Sequence, residues 1–178
     1  MSLPKSQLPG LVQLFYDDPS VCGHLDSVEG DAVPSPYRGL LVHEEHMTVA
    51  MEAHHESIVN VDVLETRQTD EQYARKILLR RERDAAVVQF GLLRVNLAIL
   101  EGTVREEILS QKRPLGRILV RHNVMRSVRL SSLWRVVMGR ELQAFFTPSG
   151  TNTTYGRTAI IELDGKKAVE VLEIVAPQ

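Results

Sequence analysis

The stretch from Tyr155 to Pro177 decides the fold, and it reads Y-G-R-T-A-I-I-E-L-D-G-K-K-A-V-E-V-L-E-I-V-A-P. Apolar residues recur at every second position on both sides of Leu163-Asp164-Gly165, which is the pattern of two strands joined by a tight turn. Side chains two residues apart in a strand share a face of the sheet. The pattern therefore places Arg157 in one otherwise apolar row and Glu173 in the other.

The turn decides whether these two charges share a face of the sheet. A three-residue loop with Gly165 in the left-handed conformation pairs odd positions with odd ones and gathers the apolar residues on one side. A two-residue Asp164-Gly165 turn would shift the register by one residue and separate the charges. We expect the three-residue loop, with Arg157 and Glu173 on one face as a structural ion pair or as part of a site.

Composition limits the class of protein. The chain has 178 residues, of which 43% are hydrophobic, and this suits one domain with a sizeable core. The net charge of -2 gives no basic field for nucleic acid. No apolar run reaches the roughly 20 residues of a transmembrane helix, and the N-terminus lacks a signal peptide. We therefore expect a cytoplasmic protein without nucleic-acid or membrane partners, while its oligomeric state stays open.

Proline and glycine interrupt residues 1–33, so we expect an irregular N-terminal segment with at most one short helix near residues 11–15. Residues 34–178 are expected to form a single domain. Helical spacing follows from Ser35 to His55, a region that holds four histidines, at positions 43, 46, 54 and 55. Their H-E-E-H order is not the H-E-x-x-H of a zinc site, and Cys22 is the only cysteine. We favour a solvated helix face over a metal site.

Period-two patterns in residues 57–63, 72–83, 85–97 and 127–137 predict further strands. Arg75 shares a row with Tyr73 and Ile77, and Arg94 shares a row with Phe90. Arginines in apolar rows are suited to holding an anion. The other row of the second of these strands, with Lys76, is expected to face solvent.

Two helical blocks among strands joined by short turns predict an α+β fold, an antiparallel sheet with helices packed on one face. A loop is expected over residues 139–154, which are rich in glycine, serine, threonine and asparagine. No glycine-rich phosphate-binding motif and no G-x-S-x-G nucleophile motif occurs in the sequence.

Four short motifs in order resemble the chorismate pyruvate-lyase, or 4-hydroxybenzoate synthase, family. They are H-M-T at 46–48, Y-A-R-K-I-L-L at 73–79, P-L-G-R-I-L at 114–119 and V-L-E-I-V-A-P at 171–177. The resemblance covers residues 37–177 and is closer to the broader chorismate lyase-like branch than to the enterobacterial enzyme. The segment before the last motif is longer here, with the extra length near residues 139–154.

The resemblance implies an antiparallel sheet of about six strands over an enclosed ligand pocket. It implies a lyase that converts chorismate to 4-hydroxybenzoate and pyruvate without metal or cofactor. Carried over by motif, Arg75 grips the ring carboxylate, Glu173 lies near the ring hydroxyl, and Met47 and Leu115 line the pocket, Leu115 partly through its backbone amide. Strand periodicity, not the resemblance, adds the two remaining substrate-binding candidates, Arg94 and Arg157.

Two other functions stay open at this point. The first is a non-catalytic binding or sensor domain of the same fold, which would take a small aromatic acid without converting it. The second is a metal-dependent enzyme using the histidines between positions 43 and 55, which we disfavour. The product isomer, 3- or 4-hydroxybenzoate, is not fixed by the sequence, although the resemblance favours the 4-isomer.

Overall fold

The computed structural model describes residues 8–124 and 126–178, which form six α-helices and seven β-strands. Residues 1–7, the first part of the segment predicted to be irregular, lie outside the described residues. In chain order the elements are α1 (Leu8–Gln13), β1 (Gly23–Val28), α2 (Tyr37–Leu41), α3 (Met47–His55), β2 (Val59–Gln68), β3 (Gln72–Arg81), β4 (Val87–Asn96), α4 (Gly102–Leu109), α5 (Leu115–Arg121), β5 (Arg126–Met138), α6 (Arg140–Phe145), β6 (Thr153–Leu163) and β7 (Lys166–Val175).

The described strands form one sheet in the order β1-β5-β6-β7-β4-β3-β2. Every neighbouring pair is antiparallel, which confirms the predicted α+β class. The sheet has seven strands in the described part of the chain where about six were expected, because β1 adds an edge strand. None of the described helices is long and apolar enough to cross a membrane.

Helices cover both faces of the sheet. One face carries Tyr73, Arg75, Ile77, Arg157 and Glu173, and we call it the site face. Apolar residues of α2, α3, α4 and α5 pack on it in one core cluster. On the opposite face, α1 and α6 pack against a second cluster that includes the tryptophan. The prediction of helices on one face is therefore wrong, because α6 occupies part of the segment 139–154 that was expected to be a loop.

The N-terminal segment belongs to the domain. Strand β1 pairs with β5 from Gly23 opposite Met138 to Val28 opposite Leu133. Leu11 of α1 is buried in the core of the opposite face. The prediction of an irregular segment up to residue 33 is wrong for β1, whereas α1 overlaps the one short helix that was expected near residues 11–15. An edge strand with alternately exposed polar residues has no continuous apolar run, and its sequence pattern is correspondingly weak.

This N-terminal cover also buries Lys76, which was expected to face solvent. The Lys76 ammonium lies 3.2 Å from a Glu65 carboxylate oxygen and 3.1 Å from one of Glu141. It also lies 4.7 Å from the centre of the Tyr16 ring. A buried ammonium needs such partners, and they come from β2, from α6 and from the chain just after α1.

The hairpin of β6 and β7 has the expected register, but a different turn from the expected one produces it. Asp164 and Gly165 have φ of 49° and 73°, so the connection is a two-residue turn with both residues left-handed. Ile161 pairs with Val169 whereas Glu162 pairs with Lys167, so one extra residue bulges out of β7. The bulge restores the odd-to-odd pairing. The three-residue loop was wrong, and the shared face of Arg157 and Glu173 is confirmed.

Candidate functional site

Arg75 is the most unusual residue of the site face, because it is a fully buried cation without a counter-ion among the described residues. Its side chain is 0% exposed, and burial lowers the pKa of its guanidinium. Its one hydrogen bond within the described chain runs from Nη2 to the Arg113 carbonyl, at a long 3.4 Å. Nε and Nη1 have no described partner. A buried ion without a partner costs several kcal/mol of folding free energy, so Arg75 destabilises the fold unless an anion binds to it.

Leu115 and Met47 lie at the starts of two helices that meet on the site face, and their predicted contact with substrate stays a prediction. The Arg113 carbonyl that Arg75 contacts leads through Pro114 into the first residue of α5, the buried Leu115. The starts of α5 and α3 touch, because a Cβ on Gly116 would lie 3.0 Å from the His46 Cβ. Met47, the first residue of α3, is buried there.

Neither of these two helices has a side-chain cap at its start. The first backbone N–H groups of a helix have no partner within it, so those of Met47 and Leu115 need another acceptor. The Leu115 group lies two residues after the Arg113 carbonyl that Arg75 contacts, so it is the candidate backbone donor at that contact.

Glu173 and Arg157 stand directly opposite each other in the β6–β7 pair. Arg157 is 1% exposed, and its Nε donates to the Glu173 carboxylate at 2.8 Å. Its other donors reach the His43 carbonyl at 2.9 Å, the His43 Nδ1 at 3.2 Å and the Glu45 carbonyl at 2.8 Å. Four of the five donors of a guanidinium thus have partners in the described chain. Arg157 anchors the segment before α3 and orients Glu173, and its predicted contact with substrate stays a prediction.

Arg75 on β3 and Glu173 on β7 lie on the same face of the sheet, with β4 between their strands. Arg75 pairs with Leu93, which pairs with Val171, and Glu173 follows two residues along β7. Two strand spacings and two residues of rise put their Cα atoms about 12 Å apart. Gly91 lies directly beside Glu173 and contributes no side chain to the floor. The cation and the carboxylate therefore flank a mainly apolar stretch of sheet.

Arg94 does not join this arrangement. It pairs in register with Ala74 and Glu170. Paired residues share a face, and Ala74 belongs to the core cluster of the opposite face, so Arg94 lies on that face too. Its Nε donates to the buried Glu170 carboxylate at 2.6 Å, and Lys167 lies 2.5 Å from the same carboxyl group. The prediction that Arg94 shares the anion site with Arg75 is contradicted, because their rows point to opposite faces. Arg94 forms a structural ion pair.

The histidines between positions 43 and 55 are spread over separate surroundings. His46, expected on a solvated face, is 8% exposed, and its Nε2 accepts a hydrogen bond from Arg126 at 2.9 Å. Burial, and then the charges of Arg126 and Arg157, lower its pKa to about 4. His54 bonds instead to the Gln178 side chain. The described residues contain no group of three or more His, Cys, Asp or Glu side chains placed to hold a metal ion.

Sequence reasoning missed two features of the site. The first is the buried Tyr73 hydroxyl, which has no hydrogen-bond partner in the described chain. Strand alternation places Tyr73 in the row of Arg75, but the pattern does not show whether the hydroxyl finds a hydrogen-bond partner. The second is the contact of Arg75 with the chain entering α5, which depends on tertiary packing.

Comparison with protein-family models and with curated proteins finds no match to this chain. The function therefore has to be argued from the geometry of the site face.

Proposed function

We propose that the protein is a chorismate lyase-like enzyme, which eliminates pyruvate from chorismate and leaves 4-hydroxybenzoate. The observation that carries this proposal is the fully buried Arg75, with Nε and Nη1 unpartnered in the described chain, on the same face as Glu173. A buried cation without a counter-ion is suited to a ligand that brings its own negative charge. A flat apolar floor between the two groups is suited to a ring.

The proposed ligand pocket lies between the site face and the starts of α3 and α5. Arg75 binds the ring carboxylate through one edge of its guanidinium, with Nε or Nη1 as a donor, and the backbone N–H of Leu115 adds a donor. Met47 and Leu115 enclose the ring between apolar walls. A charged hydrogen bond in a dry site holds its ligand strongly, since no water competes for the donors.

The reaction breaks the bond between ring carbon C3 and the ether oxygen while the ring carbon C4 loses its proton. The electron pair of that C–H bond completes the aromatic ring, and the enolpyruvate that departs takes up a proton to become pyruvate. Glu173, held in place by Arg157, is positioned at the hydroxyl-bearing end of the ring, where the C4 proton leaves. Orientation supplies much of the acceleration, because the product gains aromaticity. The chemistry calls for no metal or cofactor.

One observation favours a second candidate, a binding or sensor domain for an aromatic acid. The Glu173 carboxylate already has a partner in Arg157, and this ion pair is also consistent with a purely structural role. In that case Arg75 still binds the acid, but no group on the face handles a proton.

The test is to incubate the purified protein with chorismate and to follow pyruvate and 4-hydroxybenzoate together. The proposal expects equal amounts of both products, in excess of the protein, with the rate retained after exhaustive chelation of metals. Saturable binding of 4-hydroxybenzoate without turnover would support the sensor. Neither turnover nor binding would refute both readings of the site.

A further inference from the structure

A second polar group without a partner lies in the same row as Arg75. Tyr73 precedes it by two residues on β3 and is 1% exposed, and its hydroxyl has no hydrogen-bond partner in the described chain. Buried tyrosine hydroxyls ordinarily find a partner, because leaving one unpaired costs about 1–3 kcal/mol. Two such groups, side by side in one row, point to a common partner from outside the described residues.

The hydroxyl and the guanidinium lie close to each other. Burial raises the pKa of Tyr73, and the positive charge of Arg75 and the side-chain contact of Arg75 with the hydroxyl oppose that effect, which places the two groups next to each other. Tyr73 is therefore a neutral O–H donor at physiological pH. A neutral hydroxyl does not neutralise the charge of Arg75, and it does not repel an anion.

A carboxylate satisfies both residues at once. Its two oxygens offer about four lone-pair positions, enough for two N–H groups of the Arg75 guanidinium and one O–H group. An amide or an alcohol brings no negative charge to the buried guanidinium. Sites built around hydrogen bonds reject analogues that leave their buried groups unpaired.

Resting on the proposed function, we infer that Tyr73 is a specificity-determining residue, which donates its hydroxyl proton to the ring carboxylate held by Arg75. The pair selects free aromatic acids over uncharged ring compounds of the same shape. The aromatic ring of Tyr73 belongs to the core, so its hydroxyl alone carries this role.

The test is Tyr73→Phe, which keeps the ring and removes the hydroxyl. Tyr16→Phe is the matched control, because the Tyr16 hydroxyl is also buried without a described hydrogen-bond partner but lies on the opposite face. Calorimetric titration is carried out with 4-hydroxybenzoate and with 4-hydroxybenzyl alcohol, which lacks the carboxylate. A hydrogen bond to a charged group is worth about 1.5–3 kcal/mol, so Tyr73→Phe should bind the acid roughly 10-fold to 150-fold more weakly.

The alcohol should bind the Tyr73→Phe variant within about twofold of its wild-type affinity, where a fold-change of two corresponds to only about 0.4 kcal/mol. Equal losses for acid and alcohol would overturn the inference, because they would show a general disturbance of the pocket. Unchanged acid affinity would overturn it as well, and would leave the proposed lyase standing. Tyr16→Phe is expected to match the wild type with both compounds.

Failure of the proposed function gives a different result. If the wild type neither binds 4-hydroxybenzoate nor converts chorismate, thermal melting with benzoate, salicylate and phenylacetate decides the inference by itself. Stabilisation by one of these acids that is weakened in Tyr73→Phe supports the carboxylate site without the lyase. Absence of stabilisation by all three would overturn the inference together with the function.

Discussion

Two fully buried arginines on one face should respond to the same substitution in opposite directions. Arg75 has two nitrogen atoms without partners in the described chain, whereas Arg157 has an ion pair and three further bonds. Methionine is apolar and unbranched and adapts to the volume that either side chain leaves. Arg75→Met should therefore raise the free energy of unfolding of the ligand-free protein, and Arg157→Met should lower it.

The magnitudes follow from the contacts. Replacing buried charge by packed apolar side chains is stabilising by about 1–4 kcal/mol in favourable cases, and each unsatisfied donor costs about 1–3 kcal/mol. We expect Arg75→Met to gain about 1–4 kcal/mol. Arg157→Met strands the Glu173 carboxylate and frees the segment before α3, so a loss of about 3–5 kcal/mol is expected. At this chain length each kcal/mol shifts Tm by about 2–4 °C.

Urea unfolding followed by circular dichroism measures both variants without ligand, and titration with 4-hydroxybenzoate measures binding. Arg75→Met should be more stable than the wild type and should no longer bind the acid. The combination of higher stability and lost binding is typical of a site that trades stability for function. A loss of stability in Arg75→Met comparable to that of Arg157→Met would refute the reasoning, since it would show that Arg75 has partners in the folded protein.

Three further substitutions test other parts of the account. Glu173→Gln keeps an acceptor for Arg157 but cannot take a proton, so turnover should fall by about 10²–10⁴-fold with little change in affinity for 4-hydroxybenzoate; normal turnover per folded molecule with a large fall in Tm would mean a purely structural pair. Neutral His46, whose pKa burial and Arg126 lower to about 4, stabilises the fold fully above the unfolded value of about 6.5, and this stability is lost as the pH falls toward 4. Urea unfolding should show about 2 kcal/mol lost from this source between pH 7 and pH 5, a loss absent in His46→Gln and retained in the exposed control His24→Gln; equal losses in both would contradict it. Gly91→Val adds a side chain to the site face beside Ile77, whose Cγ1 would lie 3.1 Å from the new Cβ. It should cost about 1–3 kcal/mol of stability and weaken 4-hydroxybenzoate binding in a titration. Unchanged affinity would place the ring elsewhere.

The sequence predicted the antiparallel class and the row of Arg75 well, because strand alternation is a local property. It also predicted that Arg157 and Glu173 share a face. The turn that produces this register was predicted wrongly, since a bulge in β7 compensates for the two-residue turn. Period-two patterns do not show a bulge, because they do not show which residues of the two strands pair with each other.

The other wrong predictions share one physical cause, which is that both faces of the sheet are buried. Alternation assigns Arg94 to a row but does not decide which side of the sheet the row faces. Lys76 and His46 looked solvated because their sequence neighbours are charged, yet each is buried by an element distant in the chain. The cover over Lys76 comes from the N-terminal segment and α6, neither of which has a strong periodic pattern. Such tertiary contacts are not present in local sequence.

The most direct test of the central claim is a crystal structure of the protein with 4-hydroxybenzoate. The account predicts the carboxylate within hydrogen-bond distance of Arg75 Nε or Nη1, the ring over Gly91 and Val171, and the phenolic hydroxyl toward Glu173. A carboxylate bound at any other cation, with the two nitrogen atoms of Arg75 still without partners, would contradict it.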